Sequence, residues 1–529
     1  MDAHGKHGLE GTSLIGSEDS AEGPEFRAVN PETGAPMDPA YHDAGPDDVD
    51  RAAALAWRDF EAYRHTTLAQ RSLLLENIAT EIEALGDTLI ERVTAETGIP
   101  AVRVAGEVAR TTNQLRLFAS VVRGGEAAQA RLDTPDPART PLPKPDLRQR
   151  SVPVGPVAVF AASNFPLAFS VAGGDTASAL AAGAPVIVKA HPGHPGTSEL
   201  VGRAIRNAVV AQNLPEGTFS MVISSGVDAG VRLVSDPRIR AVGFTGSRQG
   251  GLALGSIAAK RPVPIPVFAE MSSVNPVFLF PEALAERGAA IGRDFAASAA
   301  TGVGQLCTSP GLVFVPDSAD ADEFISAATE AISGAATLPL LNDGIAGAFR
   351  EHSQRAAGLA GVQIIARGSE PTTSCGVQAQ LLLTTVDRFL AEPVLSDEVF
   401  GPSSLIVRTP LERFAAVVDA LEGQLTASVH AAPADYPVAA ELIRRLEPVV
   451  GRIVFNGWPT GVEVGHATVH GGPFPATSAP STTSVGSRAI ERFLRPVAYQ
   501  GFPEELLPQE VRSDNPLGVP QRVDGRLPA

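Results

Sequence analysis

The chain is poor in cysteine, has no excess of basic residues and lacks any long uninterrupted apolar run, and each shortage removes a class of function. Cys307 and Cys375 are the only cysteines in 529 residues. They are too far apart for a CxxC metal pair and too few for a disulfide framework, which points to a reducing compartment, the cytoplasm, and to chemistry without a metal. Acidic residues outnumber basic ones, 59 Asp and Glu against 42 Lys and Arg, leaving a formal charge of −17. That balance disfavours nucleic acid and anionic membrane surfaces as partners. The nearly uncharged stretch from Val152 to Val188 is broken by Pro153, Pro156, Asn164, Pro166, Asp175 and Pro185, so no run of about 20 apolar residues is left to span a bilayer. Met1 to Glu25 carries no basic cluster leading into an apolar core; it is no secretory signal and is expected to be a flexible tail. What is present, 44% apolar and 19% charged residues, is the composition of a soluble globular enzyme with room for two or three domains.

Helical periodicity dominates from Asp47 to Val122, where Thr67 and Gln70 form a capping box ahead of Leu74, Ile78, Ile82 and Leu85 on one face. Between Gly124 and Arg150 the chain turns proline-rich and charged, an extended connector or arm. Strand-length apolar runs at 154–162, 185–190, 220–224, 241–245 and 265–269 then alternate with helical stretches at 170–182, 197–211 and 250–260. Such alternation predicts a doubly wound parallel sheet with ligands at the carboxyl ends of its strands. A second alternating region follows Ser272, with strands at 276–280, 312–315, 404–408, 426–430 and 452–456, and predicts a second α/β domain. The C-terminal stretch from Ser487 is expected to pair with the proline-rich arm or with a neighbouring subunit.

The residues that carry chemistry lie at the ends of these elements. Gly304-Gln305-Leu306-Cys307-Thr308 sets a thiol in a small, polar setting, compatible with a nucleophile that captures a carbonyl carbon and equally with a small buried hydrophobe. Asn164 follows the first strand of the parallel series and Lys189 ends the next, offering an amide donor and a point charge, or simply loop hydrogen bonds. Phe244-Thr245-Gly246-Ser247 leads through Gly251 into a helix whose N-terminus suits an anion, whereas the dinucleotide fingerprint GxGxxG is missing after the first strand. Glu270 ends an apolar strand, where burial is expected to raise its proton affinity and suit it to general-base work; an ion pair is the alternative. Glu398-Val399-Phe400-Gly401-Pro402 holds a second glutamate in apolar company.

In order and approximate spacing, Asn164, Lys189, the Phe244–Gly251 turn, Glu270, Cys307 and Glu398 to Pro402 resemble the aldehyde dehydrogenase superfamily. The opening segment Arg27 to Gly34 does so too, and the likeness runs from about Phe26 to Tyr499. The resemblance implies a dinucleotide-binding domain over 26–136 and 152–272 and a catalytic domain over 273–486. It further implies an oligomerisation arm with a C-terminal tail over 137–151 and 487–529, which builds homodimers or homotetramers. It assigns the nucleophile to Cys307, the water-activating base to Glu270 and an oxyanion donor to Asn164 together with the Cys307 N–H. Lys189 and Glu398 would meet cofactor ribose, Ser247 and Gly251 the pyrophosphate region, and Phe400 the nicotinamide. The thiol is expected to ionise with help from an adjoining helix and nearby donors.

Departures from the common family pattern narrow these expectations. Pro192 replaces the carboxylate that usually binds the adenosine ribose, so NADP should be accepted and is the preferred cofactor over NAD. The segments Asn456 to Val462, Val469 to Ser478 and Glu491 to Pro496 resemble the branch containing α-ketoglutarate semialdehyde dehydrogenases and a bacterial fatty aldehyde dehydrogenase. In that branch a histidine at the position of His470 lies close to the nucleophile. Phe165 and Phe169 are expected to line the aldehyde tunnel. The favoured small-molecule substrate is 2,5-dioxopentanoate, with long-chain aldehydes as the alternative. A non-catalytic binding protein on the same scaffold is the rival from another class.

Overall fold

The runs Val157–Phe160, Val186–Lys189 and Phe219–Val222 are apolar along nearly their whole length because both faces of each strand are covered. In the computed structural model, which describes residues 8–527, they form the centre of a seven-stranded sheet. Its order is Val267–Glu270, Ala241–Thr245, Val157–Phe160, Val186–Lys189, Phe219–Val222, Ser13–Ile15 and Glu18–Ser20. The first five strands are parallel, so Phe160, Lys189, Val222, Thr245 and Glu270 all end at one edge. The strand order reverses about Val157–Phe160, and a ligand crevice opens at such a switch point. The helices Leu68–Ala84 and Ala101–Gly124 pack together beside this sheet. Thr67 and Gln70 form the expected reciprocal cap, with Leu74, Ile78 and Ile82 buried behind it.

The expected N-terminal tail needs correction. Ser13–Ile15 pairs antiparallel with Phe219–Val222, and Glu18–Ser20 folds back on it. Leu14 and Ile15 are buried, and the backbone N–H groups of Glu10 and Gly11 donate to the Glu199 carboxylate at 2.9 and 3.0 Å. Three buried residues suffice to cover a sheet edge, too short a pattern to stand out from polar flanks. Residues 1–7 of that expectation lie outside the described residues.

A second seven-stranded sheet runs in the order Gln363–Arg367, Gln380–Thr385, Ser403–Arg408, Leu312–Val315, Val277–Leu279, Gln424–His430 and Val450–Phe455. All its pairings are parallel except that of the edge strand Gln363–Arg367. A four-stranded sheet joins Leu494–Gln500, Leu147–Pro153, Ala130–Asp133 and Gln521–Val523, so the C-terminal stretch does pair with the arm. The arm's strands begin at Ala130 and run to Pro153, wider than 137–151, and the C-terminal stretch is structured strand and turn through most of its length. One further join positions the site. The segment after His470 docks on the edge strand of the first sheet, with Met271 N–H donating to Ala476 O at 2.8 Å and Ser478 N–H to Ala269 O at 3.0 Å. Among the described residues no helix is long and apolar enough to cross a membrane.

Candidate active site

Cys307 owes its position to a left-handed turn. The helix Pro281–Ala300 runs into Thr301–Gly304, where Gly302, Val303 and Gly304 all have positive φ, of 60°, 58° and 67°. For a β-branched valine that conformation is strained, by about 1–3 kcal/mol. Gly304 has no alternative: a Cβ there would lie 2.2 Å from the Gly401 carbonyl oxygen, so the cysteine loop and the Glu398–Pro402 segment interlock through it. The loop is clamped from behind by Asn275, fully buried, whose side-chain amide donates to the Cys307 and Ser309 carbonyls, both at 2.8 Å. Cys307 itself is half-buried.

Glu270, His470 and Cys307 converge, their reactive atoms all within 4.8 Å of one another. His470 Nε2 lies 2.8 Å from Glu270 Oε1 and 3.4 Å from Cys307 Sγ, and Ser484 Oγ donates to Glu270 Oε2 at 2.7 Å. His470 Nδ1 is buried without a partner. A carboxylate can only accept, so the imidazole proton belongs on Nε2. Burial pushes the Glu270 carboxyl up, but the His470 imidazole and the Ser484 and Cys307 donors outweigh it and hold it below its ordinary value. This corrects the expectation of a raised proton affinity, which counted burial and could not count the partners. Burial and then the Glu270 charge push the Cys307 thiol well above its ordinary value. Helix assistance is corrected as well: Cys307 lies beyond the C-terminal end of Pro281–Ala300, the negative end of its dipole. The carboxylate nearest the thiol in this cluster is that of Glu270.

Asn164 stands across from this trio, its side-chain amide donating to Gln305 O at 2.9 Å. Phe165 and Phe169 pack together with ring centroids 5.3 Å apart, and Phe169 sits 6.1 Å from the His470 ring. Arg103 covers Phe165 and Arg110 covers Phe169, both from the helix Ala101–Gly124.

A cleft of about 790 Å³ opens at the carboxyl edge of the first sheet, lined by Asn164, Pro192, Ser247, Glu270, Cys307, Glu398 and Phe400 among others. Lys189 ends its strand with Nζ donating to Ser224 O at 2.7 Å, and burial pulls its ammonium down to about 8. Ser247 caps the helix Arg248–Ala259 by accepting from Gly250 N–H at 3.2 Å. Gly250 lines the cleft while Gly251 serves packing: a Cβ on Gly251 would meet Met271 Sδ at 2.7 Å. Burial pushes Glu398 up to about 8. The cleft volume and the helix N-terminus suit a dinucleotide, while Lys189 is not among the residues that line the cleft.

The Aldehyde dehydrogenase family profile matches residues 18–473. The chain belongs to that family. It is 55% identical over 521 residues to Alpha-ketoglutaric semialdehyde dehydrogenase 2 of Azospirillum brasilense, covering 98% of this chain and 99% of that one. It is 46% identical over 518 residues to Alpha-ketoglutaric semialdehyde dehydrogenase of Acinetobacter baylyi, covering 97% and 98%. The fold is shared with a betaine aldehyde dehydrogenase from Staphylococcus aureus, at a TM-score of 0.80 and 18% identity over 94% of this chain and 96% of that one. This aldehyde dehydrogenase is therefore an oxidoreductase acting on aldehydes.

Sequence reasoning missed two residues of the aldehyde dehydrogenase site. Ser484, fourteen positions beyond His470, lies in a Ser/Thr-rich stretch that reads as plain loop, and Asn275 follows the Glu270 motif without any chemical signature. Neither can be found from spacing, because each acts through a contact between segments distant in sequence. His194 sits in the loop at the N-cap position of the helix Pro195–Ala211 and is buried, with Nε2 2.9 Å from Ala162 O. Cys375 is buried in a small apolar cluster and donates to Asp343, away from the trio.

Proposed function

We propose that this enzyme oxidises 2,5-dioxopentanoate to 2-oxoglutarate with NADP or NAD as acceptor. The observation that carries the substrate is the identity of 55% and 46%, over nearly the whole chain, to two α-ketoglutaric semialdehyde dehydrogenases. The chemistry is supported by the Glu270–His470–Cys307 geometry. In the resting site the thiol is protonated and the carboxylate ionised, the latter oriented by His470 and Ser484. As Cys307 Sγ attacks the aldehyde carbon, its proton passes to Glu270, and the new oxyanion is held by the Asn164 amide and the Cys307 N–H. The thiohemiacetal carbon then gives up hydride, leaving a thioester on Cys307. The nicotinamide supplies the hydride acceptor. Glu270 releases that first proton to solvent and then draws one from water as the water attacks the thioester; the carbon–sulfur bond breaks, Glu270 passes this proton to the departing Cys307 thiolate, and the acid leaves with the thiol restored. Holding Glu270 low keeps it ionised at neutral pH, at the cost of some basicity.

Lys189 and Glu398 would hold the cofactor's ribose hydroxyls, Ser247 would meet its pyrophosphate, and Phe400 would flank its nicotinamide. Pro192 brings no carboxylate to the adenosine ribose, so a 2′-phosphate meets no repulsion there. Introducing one by Pro192→Glu lowers kcat/KM for NADP relative to NAD by about tenfold or more, the size of one unfavourable close charge pair; an unchanged ratio refutes the NADP assignment. The arm and C-terminal sheet provide the surface for a homodimer or homotetramer, and sedimentation equilibrium returning a monomer rejects this.

The substrate assignment is tested by steady-state comparison of 2,5-dioxopentanoate with long-chain aldehydes, each with both cofactors. A kcat/KM favouring the long chain by about tenfold, 1.4 kcal/mol of transition-state preference, rejects it.

A further inference from the structure

On the side of Cys307 away from the cofactor cleft, the helix Ala101–Gly124 turns Arg103, Glu107 and Arg110 toward the site along one stripe. Arg110 lies between the Phe169 ring, 5.2 Å from its guanidinium carbon, and the Val462 carbonyl, which accepts from Nη2 only at 3.4 Å. Its other terminal nitrogen, Nη1, is buried and has no partner. Among the described residues Arg110 has no carboxylate within 4.0 Å. Glu107, three residues back, attracts Arg110 by charge but makes no ion pair with it within 4.0 Å, and its Oε2 is buried without a partner. Its Oε1 accepts from the backbone N–H groups of Leu167 and Ala168, at 2.9 and 3.0 Å.

The two other arginines nearby donate from terminal nitrogens to carbonyls, although Arg452 also keeps a buried Nε without a partner. Arg103 Nη2 donates to the Asn164 carbonyl at 3.2 Å, and Arg452 gives Nη1 to Gly461 O at 2.6 Å and Nη2 to Pro459 O at 2.5 Å. Arg110 thus holds a spare charged donor in a place where water is excluded. An unpaired buried donor of that kind is costly, and a carboxylate entering beside it gains a strong hydrogen bond. The contact chain from Arg110 through Phe169 to His470 ends at the thiol.

Resting on the substrate assignment above, we infer that Arg110 is the specificity-determining residue that receives the far carboxylate of the aldehyde acid. Its Nη1–H group donates to a carboxylate oxygen while the Phe165–Phe169 pair flanks the carbon chain, and this directs the aldehyde end to Cys307. No bond is made or broken by Arg110.

The test uses full-length Arg110→Gln and Arg110→Lys enzymes at saturating cofactor, with 2,5-dioxopentanoate and uncharged pentanal as substrates. In Arg110→Gln the ratio of kcat/KM for 2,5-dioxopentanoate over pentanal falls about 10- to 100-fold, chiefly through KM, the loss expected for one charged hydrogen bond. Arg110→Lys keeps the charge and recovers part of that ratio. Equal losses on both aldehydes mean a structural role and overturn the inference, as does an unchanged ratio. Should the glutamine variant fail to fold, the lysine variant alone decides: a raised KM for 2,5-dioxopentanoate with an unmoved KM for pentanal supports the inference, and unmoved values for both overturn it. A wild-type enzyme that does not prefer 2,5-dioxopentanoate over pentanal instead overturns the substrate assignment, an outcome read before any variant is made.

Discussion

Replacing His470 with leucine removes the imidazole that contacts Glu270, the proposed base, and the structure sets the size of the consequence. His470 and Glu270 are 1% and 3% exposed and meet at 2.8 Å, so solvent does little to weaken their contact. A hydrogen bond to a buried charged group contributes about 1.5–3 kcal/mol, so the steps that use Glu270 slow by about 10- to 100-fold. The sign of the pH effect follows from the same contact. Glu270 is held below its ordinary 4.5 by His470 and Ser484 against the push of burial. With His470 gone, burial meets less opposition, the carboxyl rises, and the acidic limb of the kcat profile moves to higher pH. The contact stabilises the fold fully above the ordinary carboxylate pKa and ceases to do so as pH falls through the lowered folded value. The assay is kcat and kcat/KM from about pH 5 to 9 by cofactor reduction at 340 nm, for His470→Leu and His470→Gln; in the glutamine variant the amide nitrogen reaches the place of Nε2. Glutamine should return the limb toward wild type. Identical acidic limbs in all three enzymes would refute the idea that His470 sets the state of the base.

Other outcomes follow from single contacts. Asn164→Ala, which deletes the proposed oxyanion donor, lowers kcat about 10²- to 10³-fold in steady-state assays while leaving cofactor affinity by fluorescence titration unaltered. Asn275→Ala leaves the Cys307 and Ser309 carbonyls without their buried donor and destabilises the protein by about 1–3 kcal/mol, read as a lower thermal midpoint together with reduced kcat. Gly304→Ala forces a Cβ to within 2.2 Å of the Gly401 oxygen at a positive φ, and loss of soluble, active protein is expected in an expression and activity test. Glu398 holds its proton up to about 8, whereas the unfolded chain releases it near 4.5. Stability of the cofactor-free enzyme therefore falls as pH rises between those values, and in thermal melts Glu398→Gln flattens that slope.

Much of the architecture was legible because its signals are local. The capping box at Thr67, the strand at 241–245 and the alternation around it are set by residues adjacent in sequence, and all three appear in the structure as expected. The antiparallel edge strand Gln363–Arg367 and the hairpin at 13–20 escaped, since edge strands alternate weakly with polar neighbours and owe their conformation to the strand they lean on. The motif residues Cys307, Glu270, Asn164 and Glu398 were named from their sequence settings and family likeness, and they meet at one cleft. Their ionisation was not legible: Glu270 moves down where burial alone would raise it.

By itself the sequence determined the periodicities, the strand ends that carry polar residues and the presence of one thiol in a glycine-flanked turn. Those are consequences of chain-local sterics and hydrophobic patterning. Only the tertiary structure decided which groups share a proton. His470 and Ser484 reach Glu270 across 200 and 214 residues of chain, and Arg110 reaches the Phe169 face from a helix that precedes the parallel sheet. Electrostatic and hydrogen-bond energies depend on separation in space, and separation in space is fixed by packing rather than by position along the chain.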